Sequence, residues 1–434
     1  MKLNVTSVLL YGNLKIKIEM YRQILTFIAC LITLNSFSQS TQFTKSMDDL
    51  STRLVTDQEV AGVNVLIFKD GEVLYNKAFG YADTKTKQPL RTNHIFRIAS
   101  QTKAVTSVAV MKLLEQGKIL LDDPISKYIP QFKDPKILDK FNPVDSSYTT
   151  ISAQREITIR DLLRHTSGID YPVISDDTRM KTIYAKAGVV TGIGSKGTLK
   201  EKMELLAKQP LRNQPNTAFT YGLNTDVLGY LVEIVSGVSL DTFFQKNIFE
   251  PLQMTDTQFK ISQDKANRLV SVSEKTDKGF AKVNHPIYEN SGVDYPLADG
   301  IYLSGGAGLT STTADYAKFL QMLLNKGIYN GQRILGAKTI ELMITNQLSQ
   351  EVISHGDPDF RFGLGFELVT DENKFARSPS VGTFSWGGAF NTHYWADPKE
   401  NIIGLIYTQE YFPTSYNDLG TLYKNVVYAN LEAE

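Results

Sequence analysis

Cysteine is almost absent from this chain of 434 residues, whose one thiol belongs to Cys30. A single thiol cannot form an intramolecular disulfide, and thiolate metal sites need several cysteines, so both are excluded. A charge excess is also absent, because 46 basic side chains stand against 46 acidic ones. Without a large basic surface, nucleic acid is not expected as a partner, and a small molecule or peptide is.

Several motifs of common enzyme classes are missing as well. The chain has no Gly-x-Ser-x-Gly nucleophile elbow, no His-Glu-x-x-His and no phosphate-binding Gly-Lys-Ser/Thr. Residues 192–197 match the dinucleotide fingerprint, but no buried strand precedes them, and they are interpreted as a flexible loop. No pair of histidines has metal-ligand spacing among His94, His165, His285, His355 and His393. We therefore predict neither a metal nor a cofactor.

The first 38 residues have the organisation of a secretory signal. After Arg22 comes an apolar run over residues 24–34 and then the small-residue stretch Ser-Phe-Ser. The run is too short to span a bilayer. Met20 is a better placed initiator than Met1, so residues 1–19 are interpreted as an extended start. We expect cleavage after residue 38, export to the periplasm or medium, and no stable membrane insertion afterwards.

Residues 39–434 are predicted to form one domain with strands near both ends. Residues 63–68 and 73–75 are β-prone and flank Asp70-Gly71, a strong hairpin turn. Further strands are predicted over residues 362–369, 381–390, 393–396 and 402–408, with a closing helix over 416–432. A hairpin alone is marginal, so one antiparallel sheet built from both chain ends and flanked by helices is expected, an α/β (α+β) fold.

Between these ends the apolar spacing is mostly helical. Apolar residues recur at intervals of three or four, which predicts an inserted, mainly helical subdomain over about residues 115–290. Residues 174–200 are polar and glycine-rich, and they are predicted to be a long loop. The sequence does not indicate an oligomeric state.

A candidate nucleophile stands at the start of an apolar helix. Ser100 and Lys103 are three residues apart, so on a helix they share a face. The helix N-terminus offers backbone N–H groups and positive potential to a developing oxyanion. Ser262 and Lys265 repeat the spacing, but no apolar helix follows them. Spacing alone favours an ordinary helix cap for Ser100 over a nucleophile.

Five motifs around and beyond Ser100 resemble a known family. In order, they are Phe96–Lys103, Leu162–Gly168, Tyr221 ahead of Asp226–Gly229, Gly305–Leu309 and Trp386–Gly388. Together they resemble the serine β-lactamase-like superfamily of class C β-lactamases and penicillin-binding proteins. The nearest branch is the family VIII carboxylesterases and related acyltransferases. The resemblance covers about residues 45–425 and implies the same sheet beside a helical subdomain.

The resemblance implies roles for individual residues. Ser100 would attack a carbonyl carbon, with Lys103 and Tyr221 as the proton-transfer groups. A tyrosine with an ordinary pKa near 10 is a poor base, so a nearby ammonium is needed to make its phenolate accessible. Which of the two is the general base stays open. The backbone N–H groups of Ser100 and Ala389 would form the oxyanion hole.

Two departures from the family pattern bear on the substrate. Where penicillin-binding relatives have Tyr-x-Asn, this chain has its asparagine one place later, at Asn224, which we expect to contact substrate. Tyr288, in a literal Tyr-x-Asn, is the alternative base. Trp386 replaces the lysine of Lys-Thr-Gly and cannot supply its positive charge to a substrate carboxylate. Gly387 and Gly388 would let the substrate approach the strand.

These features predict an exported serine hydrolase that acts on carboxylic esters or amides through an acyl-enzyme. Loss of the cation at position 386 favours uncharged substrates over β-lactams. One alternative is a D-amino-acid peptidase or weak β-lactamase acting on cell-wall-type amides. Another, of a different class, is a non-catalytic binding or sensor protein on the same fold. His165 is interpreted as part of a structural turn without a catalytic role.

Overall fold

The computed structural model of the protein describes residues 41–288, 291–300, 302–354, 356–413 and 416–431. The predicted signal segment over residues 1–38, with Cys30 and Met20, lies outside the described residues. His355 does too.

The two ends of the chain build one antiparallel sheet, which has seven strands within the described ranges. All strands, in chain order, are β1 (Gly62–Lys69), β2 (Glu72–Asp83), β3 (Gln88–Pro89), β4 (Phe96–Arg97), β5 (Lys136–Phe141), β6 (Tyr148–Ser152), β7 (Ser273–Thr276), β8 (Gly279–Lys282), β9 (Thr310–Ser311), β10 (Ile328–Tyr329), β11 (Gln332–Arg333), β12 (Glu367–Leu368), β13 (Phe384–Gly388), β14 (Thr392–Asp397) and β15 (Ile402–Tyr407). The large sheet runs β12-β13-β14-β15-β1-β2-β3. The predicted sheet from both chain ends is confirmed.

Helices cover both faces of this sheet. In chain order, the helices of the described ranges are α1 (residues 41–56), α2 (Thr102–Glu115), α3 (Ile159–Leu163), α4 (Thr178–Ala187), α5 (Leu199–Leu206), α6 (Asn224–Ser236), α7 (Leu240–Phe244), α8 (Glu250–Leu252), α9 (Thr313–Leu324), α10 (Ala337–Met343), α11 (Gln350–Ser354) and α12 (Tyr416–Ala429). Helices α1 and α12 pack on one face, and α2 and α9 belong to the larger core on the other. The architecture is therefore three-layered.

Strand β1 is central because it can bury both of its faces. Val63, Val65 and Ile67 pack towards α1 and α12, whereas Leu66 joins the core on the opposite face. This is the two-residue alternation that a pleated strand requires. The turn into β2 is Asp70-Gly71, with φ of 56° and 82°, as a two-residue hairpin turn with two positive φ angles requires.

Helix α2 carries the candidate nucleophile's lysine through the middle of the protein. Eleven of its fourteen residues are buried, so it is enclosed on nearly all sides and has no broad solvent-facing stripe. It packs against α6 and against the short helices that follow α6. A helix enclosed in this way holds its first turn rigidly relative to the sheet.

The region predicted as an inserted subdomain, residues 115–290, adds no described strand to the large sheet. It holds α3 to α8 and two separate hairpins, β5–β6 and β7–β8. In the described part of the chain no single helix is long and apolar enough to cross a bilayer. Helix α6 and the following segment Leu240–Leu252 reach that length only together, with a bend of 78° between them.

The structure corrects two local predictions. Residues 174–200 are not a continuous loop, because α4 forms within them. The Asp177 side chain caps that helix and Met180 and Tyr184 bury its apolar face, which outweighs the polar composition. The strand predicted over 362–369 shortens to β12, because Gly365, at φ +102°, turns the backbone against Ser107.

Candidate active site

A short strained turn positions Ser100 directly before α2. Strand β4 pairs with β9 and is followed by Ala99, whose φ of +40° is unfavourable for a residue with a Cβ. Ala99 is fully buried, so packing holds the strained conformation. Residues Ala99–Gln101 then form a single 3₁₀ turn that leads directly into α2. The turn leaves Ser100 half-buried, at the edge of the core.

Lys103 lies one turn along and points its ammonium at the serine. Its Nζ donates to Ser100 Oγ at 3.1 Å, to Tyr171 Oη at 3.0 Å and to the carbonyl of Gly306 at 2.9 Å. The side chain is only 2% exposed, and three bonds use all three N–H groups of an ammonium. Burial of this cation is thus matched by hydrogen bonds, as a buried charge requires.

Two tyrosines flank the Lys103 ammonium. The Tyr221 ring lies over it, 4.6 Å from Nζ to the ring centre, and the Tyr221 hydroxyl accepts from Nε1 of Trp386 at 3.3 Å. Tyr171, which the sequence analysis did not single out, is the one whose hydroxyl bonds Lys103. Burial raises the pKa of Tyr171 well above its usual value, and the nearby Tyr221 and Asp226 add to the effect.

A buried acidic residue interacts electrostatically with the Lys103 ammonium. Asp226, on α6, accepts hydrogen bonds from Tyr302 and from Ser304 Oγ, the latter at 2.6 Å. Burial raises the pKa of Asp226, while these hydrogen bonds and the Lys103 charge act in the opposite direction. Burial outweighs these opposing contributions, so the pKa of Asp226 stays above its usual value.

The edge of β13 comes alongside the serine turn. At Gly388 an added Cβ would lie 2.3 Å from the carbonyl oxygen of Ile98, two residues before Ser100, so only glycine allows this approach. Ala389 follows directly and is partly exposed. The backbone segments of Ser100 and Ala389, predicted to form the oxyanion hole, are therefore neighbours in space. Trp386 and Gly387 precede Gly388 on β13.

A family model described as Beta-lactamase matches residues 47–428 of this chain. The chain belongs to the Beta-lactamase family. It is similar to Protein Rv1367c of Mycobacterium tuberculosis (strain ATCC 25618 / H37Rv), with 32% identity covering 82% of this chain and 86% of the relative. Esterase EstB of Burkholderia gladioli is 26% identical, covering 88% and 94%.

A solved structure with the same fold is that of EstCE1, described as a hydrolase with promiscuous acyltransferase activity. Its TM-score is 0.75 at 27% identity, covering 90% of this chain and 99% of EstCE1. The family resemblance and the fold class expected from the motifs are thereby confirmed. This Beta-lactamase family member is a serine hydrolase.

The structure places the Asn224 side chain in the interior and not, as we expected, in the open site. Its side chain is fully buried and bonds Ser167 Oγ at 2.5 Å, with Nδ2 against His165 Nδ1 at 2.9 Å. It therefore cannot contact a substrate, and the prediction of a substrate-binding role is corrected. The one-residue shift relative to Tyr-x-Asn puts the amide on the inner side of α6, where it ties the helix to the His165–Gly168 turn.

His165 lies behind the family tyrosine rather than in the open site. Its ring centre is 4.9 Å from that of Tyr221, and its φ is +57°. Burial holds the pKa of His165 well below its usual value, and the Lys103 charge lowers it further. A neutral imidazole packed in this way supports the Tyr221 ring.

Among the described residues, no hydrogen bond joins either competing candidate, Tyr288 or Ser262, to Ser100 or Lys103. Tyr288 is buried in an aromatic cluster, 5.2 Å from the ring of Tyr411. Ser262 precedes a 3₁₀ turn whose Lys265 bonds Thr255 and pairs with Asp256.

The dinucleotide-like stretch, residues 192–197, lies between α4 and α5. It follows no strand, since the residues before it end α4. Within the described ranges no cluster of histidine and carboxylate side chains could hold a metal.

A second buried carboxyl group, that of Glu410, bonds the segment that follows Ala389. Glu410 is 2% exposed, and its Oε2 accepts from Nδ2 of Asn391 at 2.9 Å. Burial raises the pKa of Glu410 to about 7, although the Asn391 hydrogen bond opposes the shift. The carboxyl thus resists ionisation near neutral pH.

We expect Glu410→Gln to gain stability over wild type as the pH rises. Wild-type Glu410 contributes fully below its unfolded pKa of 4.5, and that contribution is lost as the pH rises through about 7. The rise of the pKa from 4.5 to about 7 lowers the free energy of unfolding of the wild type by about 3 kcal/mol at pH 8. Urea unfolding at pH 4.5 and pH 8 measures it, with the exposed Glu72→Gln as control. A difference independent of pH would contradict the assignment.

Proposed function

We propose that the protein hydrolyses carboxylic esters or amides through an acyl-enzyme on Ser100. The observation that carries the proposal is the buried Lys103 ammonium, 3.1 Å from the Ser100 hydroxyl, with the Tyr221 ring above it. A serine hydroxyl is inert until its proton can be taken, and the hydrogen bond from Lys103, with the Tyr221 ring packed on the ammonium, supports such a proton transfer.

The reaction follows from these positions. Ser100 Oγ attacks the carbonyl carbon while its proton passes to the Lys103 and Tyr221 pair. The oxyanion that forms is held by the backbone N–H groups of Ser100 and Ala389. Collapse breaks the bond to the leaving group, which takes the proton and departs as an alcohol or amine. Water then attacks the acyl-serine ester, and the proton it gives up returns to Ser100 as the carboxylic acid leaves.

Tyr221 is better placed than Tyr171 to carry the proton. Lys103 uses all three N–H groups as donors, so it must lose a proton before it can act as base. The raised pKa of the buried Tyr171 keeps its hydroxyl protonated, so it orients Lys103. Tyr221 is partly exposed and is one of the residues that line a cavity of about 650 Å³, next to Phe219 and Thr220.

Uncharged esters fit this site better than β-lactams. The indole of Trp386 takes the place of the family's lysine and bonds Tyr221. An indole N–H supplies no positive charge for a substrate carboxylate. The relatives named Esterase EstB and EstCE1 support the same substrate class. Because EstCE1 is also described as an acyltransferase, transfer of the acyl group to an alcohol instead of water is a second candidate activity.

A comparison of two chromogenic substrates tests the substrate class. We expect kcat/KM for p-nitrophenyl butyrate to exceed that for nitrocefin by about 100-fold or more, since the missing cation costs on the order of 3 kcal/mol of charge-assisted binding. The Ser100→Ala variant provides the background rate for both. Faster turnover of nitrocefin would favour the peptidase or β-lactamase alternative and would show the Trp386 argument to be wrong.

We also propose that the protein is exported. The charged, apolar and small-residue order of residues 1–38 supports this. Mass spectrometry of the mature N-terminus is expected to find a start near residue 39, outside the cytoplasm, whereas a variant without residues 20–38 stays in the cell. A mature protein that begins at Met1 would contradict the proposal.

A further inference from the structure

We infer that Gln409 and Glu410 are positioning residues that fix the two halves of the oxyanion hole relative to each other. They follow the last residue of β15 by two and three positions. Both are buried, at 3% and 2% exposure. The inference rests on the proposed function, because it assigns these side chains a part in the Ser100 and Ala389 oxyanion site.

Gln409 holds the segment that leads to the nucleophile. Its Oε1 accepts from the backbone N–H of Arg97 at 2.7 Å, and its Nε2 donates to the backbone carbonyl of Arg97 at 3.2 Å. One side-chain amide thus satisfies both backbone groups of a residue three positions before Ser100. The Arg97 guanidinium donates to the same Oε1 at 3.2 Å, so the pairing is charge-assisted.

Glu410 and the preceding Thr408 hold the turn that carries Ala389. The backbone N–H of Glu410 donates to Phe390 at 3.1 Å, and its carboxylate accepts from Asn391 Nδ2 at 2.9 Å. Thr408 Oγ1 donates to the carbonyls of Phe390 and Asn391, each at 3.0 Å. Asn391 is in the left-handed region, with φ of +62°, so its carboxamide bond helps to hold an unfavourable backbone conformation.

Residues 408–410 therefore touch both oxyanion segments at once. An oxyanion hole works only when its two N–H groups are preorganised around the position that the oxygen reaches in the transition state. A misplacement of about 1 Å can cost about 100-fold in rate. The two N–H donors, of Ser100 and Ala389, come from distant parts of the chain. Because residues 408–410 bond both segments, they keep the distance between these donors constant.

The test uses isosteric variants that remove hydrogen bonds but keep volume. With p-nitrophenyl butyrate, Gln409→Met is expected to lower kcat about 100-fold while KM changes less than about threefold. The Ki of a trifluoromethyl ketone analogue, whose adduct resembles the tetrahedral intermediate, should rise by a similar factor. Glu410→Leu should behave in the same way, and Glu410→Gln, which can still accept from Asn391, should recover most of kcat.

Asn373→Leu is the matched control. Asn373 is also a buried amide that bonds backbone groups, at Leu368 and Asp359, but it does not contact either oxyanion segment. It should lower Tm without changing kcat or the ketone Ki. If Gln409→Met and Glu410→Leu lower only Tm, as the control does, the inference is overturned. If Gln409→Met does not fold, the Glu410→Leu and Glu410→Gln pair decides.

Labelling separates this inference from the proposed function. Wild-type protein that forms no fluorophosphonate adduct on Ser100 would overturn the proposed function, and the inference with it. A normal adduct on wild type, combined with unchanged kcat in both variants, would overturn the inference alone.

Discussion

Alanine at position 100 is expected to reduce ester hydrolysis by about 10⁴-fold or more, since loss of a nucleophile removes the covalent route altogether. The fold should survive, because Ser100 is half-buried and its hydroxyl is bonded by one flexible amine. Initial rates with p-nitrophenyl butyrate measure the loss. Intact mass after fluorophosphonate treatment should show one adduct on wild type and none on the variant.

Ser262→Ala is the control for this prediction. Ser262 repeats the spacing to a lysine, but Lys265 is bonded to Thr255 and Asp256 instead. The control should keep both activity and labelling. The opposite pattern would show that Ser262, and not Ser100, is the nucleophile. Wild-type protein that takes no label and hydrolyses no ester would favour the non-catalytic binding protein.

Phenylalanine at position 221 is expected to lower kcat about 10³-fold, in the range that general acid–base groups contribute. The change removes only the hydroxyl that accepts from Trp386 and keeps the ring over Lys103. Phenylalanine at position 171 should cost only about tenfold, because that hydroxyl orients Lys103 without exchanging a proton. Pre-steady-state kinetics with p-nitrophenyl butyrate measures acylation and deacylation separately in both variants.

The two tyrosine variants control for each other, since each loses one hydroxyl next to the same ammonium. Acylation and deacylation are both expected to slow strongly in Tyr221→Phe and only slightly in Tyr171→Phe. A larger loss in Tyr171→Phe would make Tyr171 the proton carrier and would contradict the role proposed for Tyr221. Equal small losses would point to Lys103 acting alone.

Sequence motifs located the centre of the site but not all of its members. Ser100 and Lys103 were found because their spacing on a helix is a local property. Tyr171 was missed, although it lies three residues after the His165–Gly168 turn, because a lone tyrosine carries no spacing signal. Asn224 was misassigned, since a one-residue shift along a helix turns a side chain by about 100°.

Most elements of the fold were also predictable from the sequence, but the ends of β12 and the presence of α4 were not. Alternation in β1 and the Asp70-Gly71 turn identified the hairpin, and apolar composition identified the second set of strands. The ends of β12 depended on Gly365 meeting Ser107, a contact between distant parts of the chain. Helix α4 depended on burial of Met180 and Tyr184 in the core, which polar composition concealed.

The sequence by itself determined the periodic elements, the sheet from both ends and the serine–lysine pair, because each follows from residues close together along the chain. Only the tertiary structure decided which phenol bonds Lys103, that Asn224 is buried and that Gln409 spans to Arg97. Lys103 and Tyr171 are 68 positions apart, and Arg97 and Gln409 are 312 apart. Contacts over such separations are set by how the helices and the sheet pack, which no local pattern specifies.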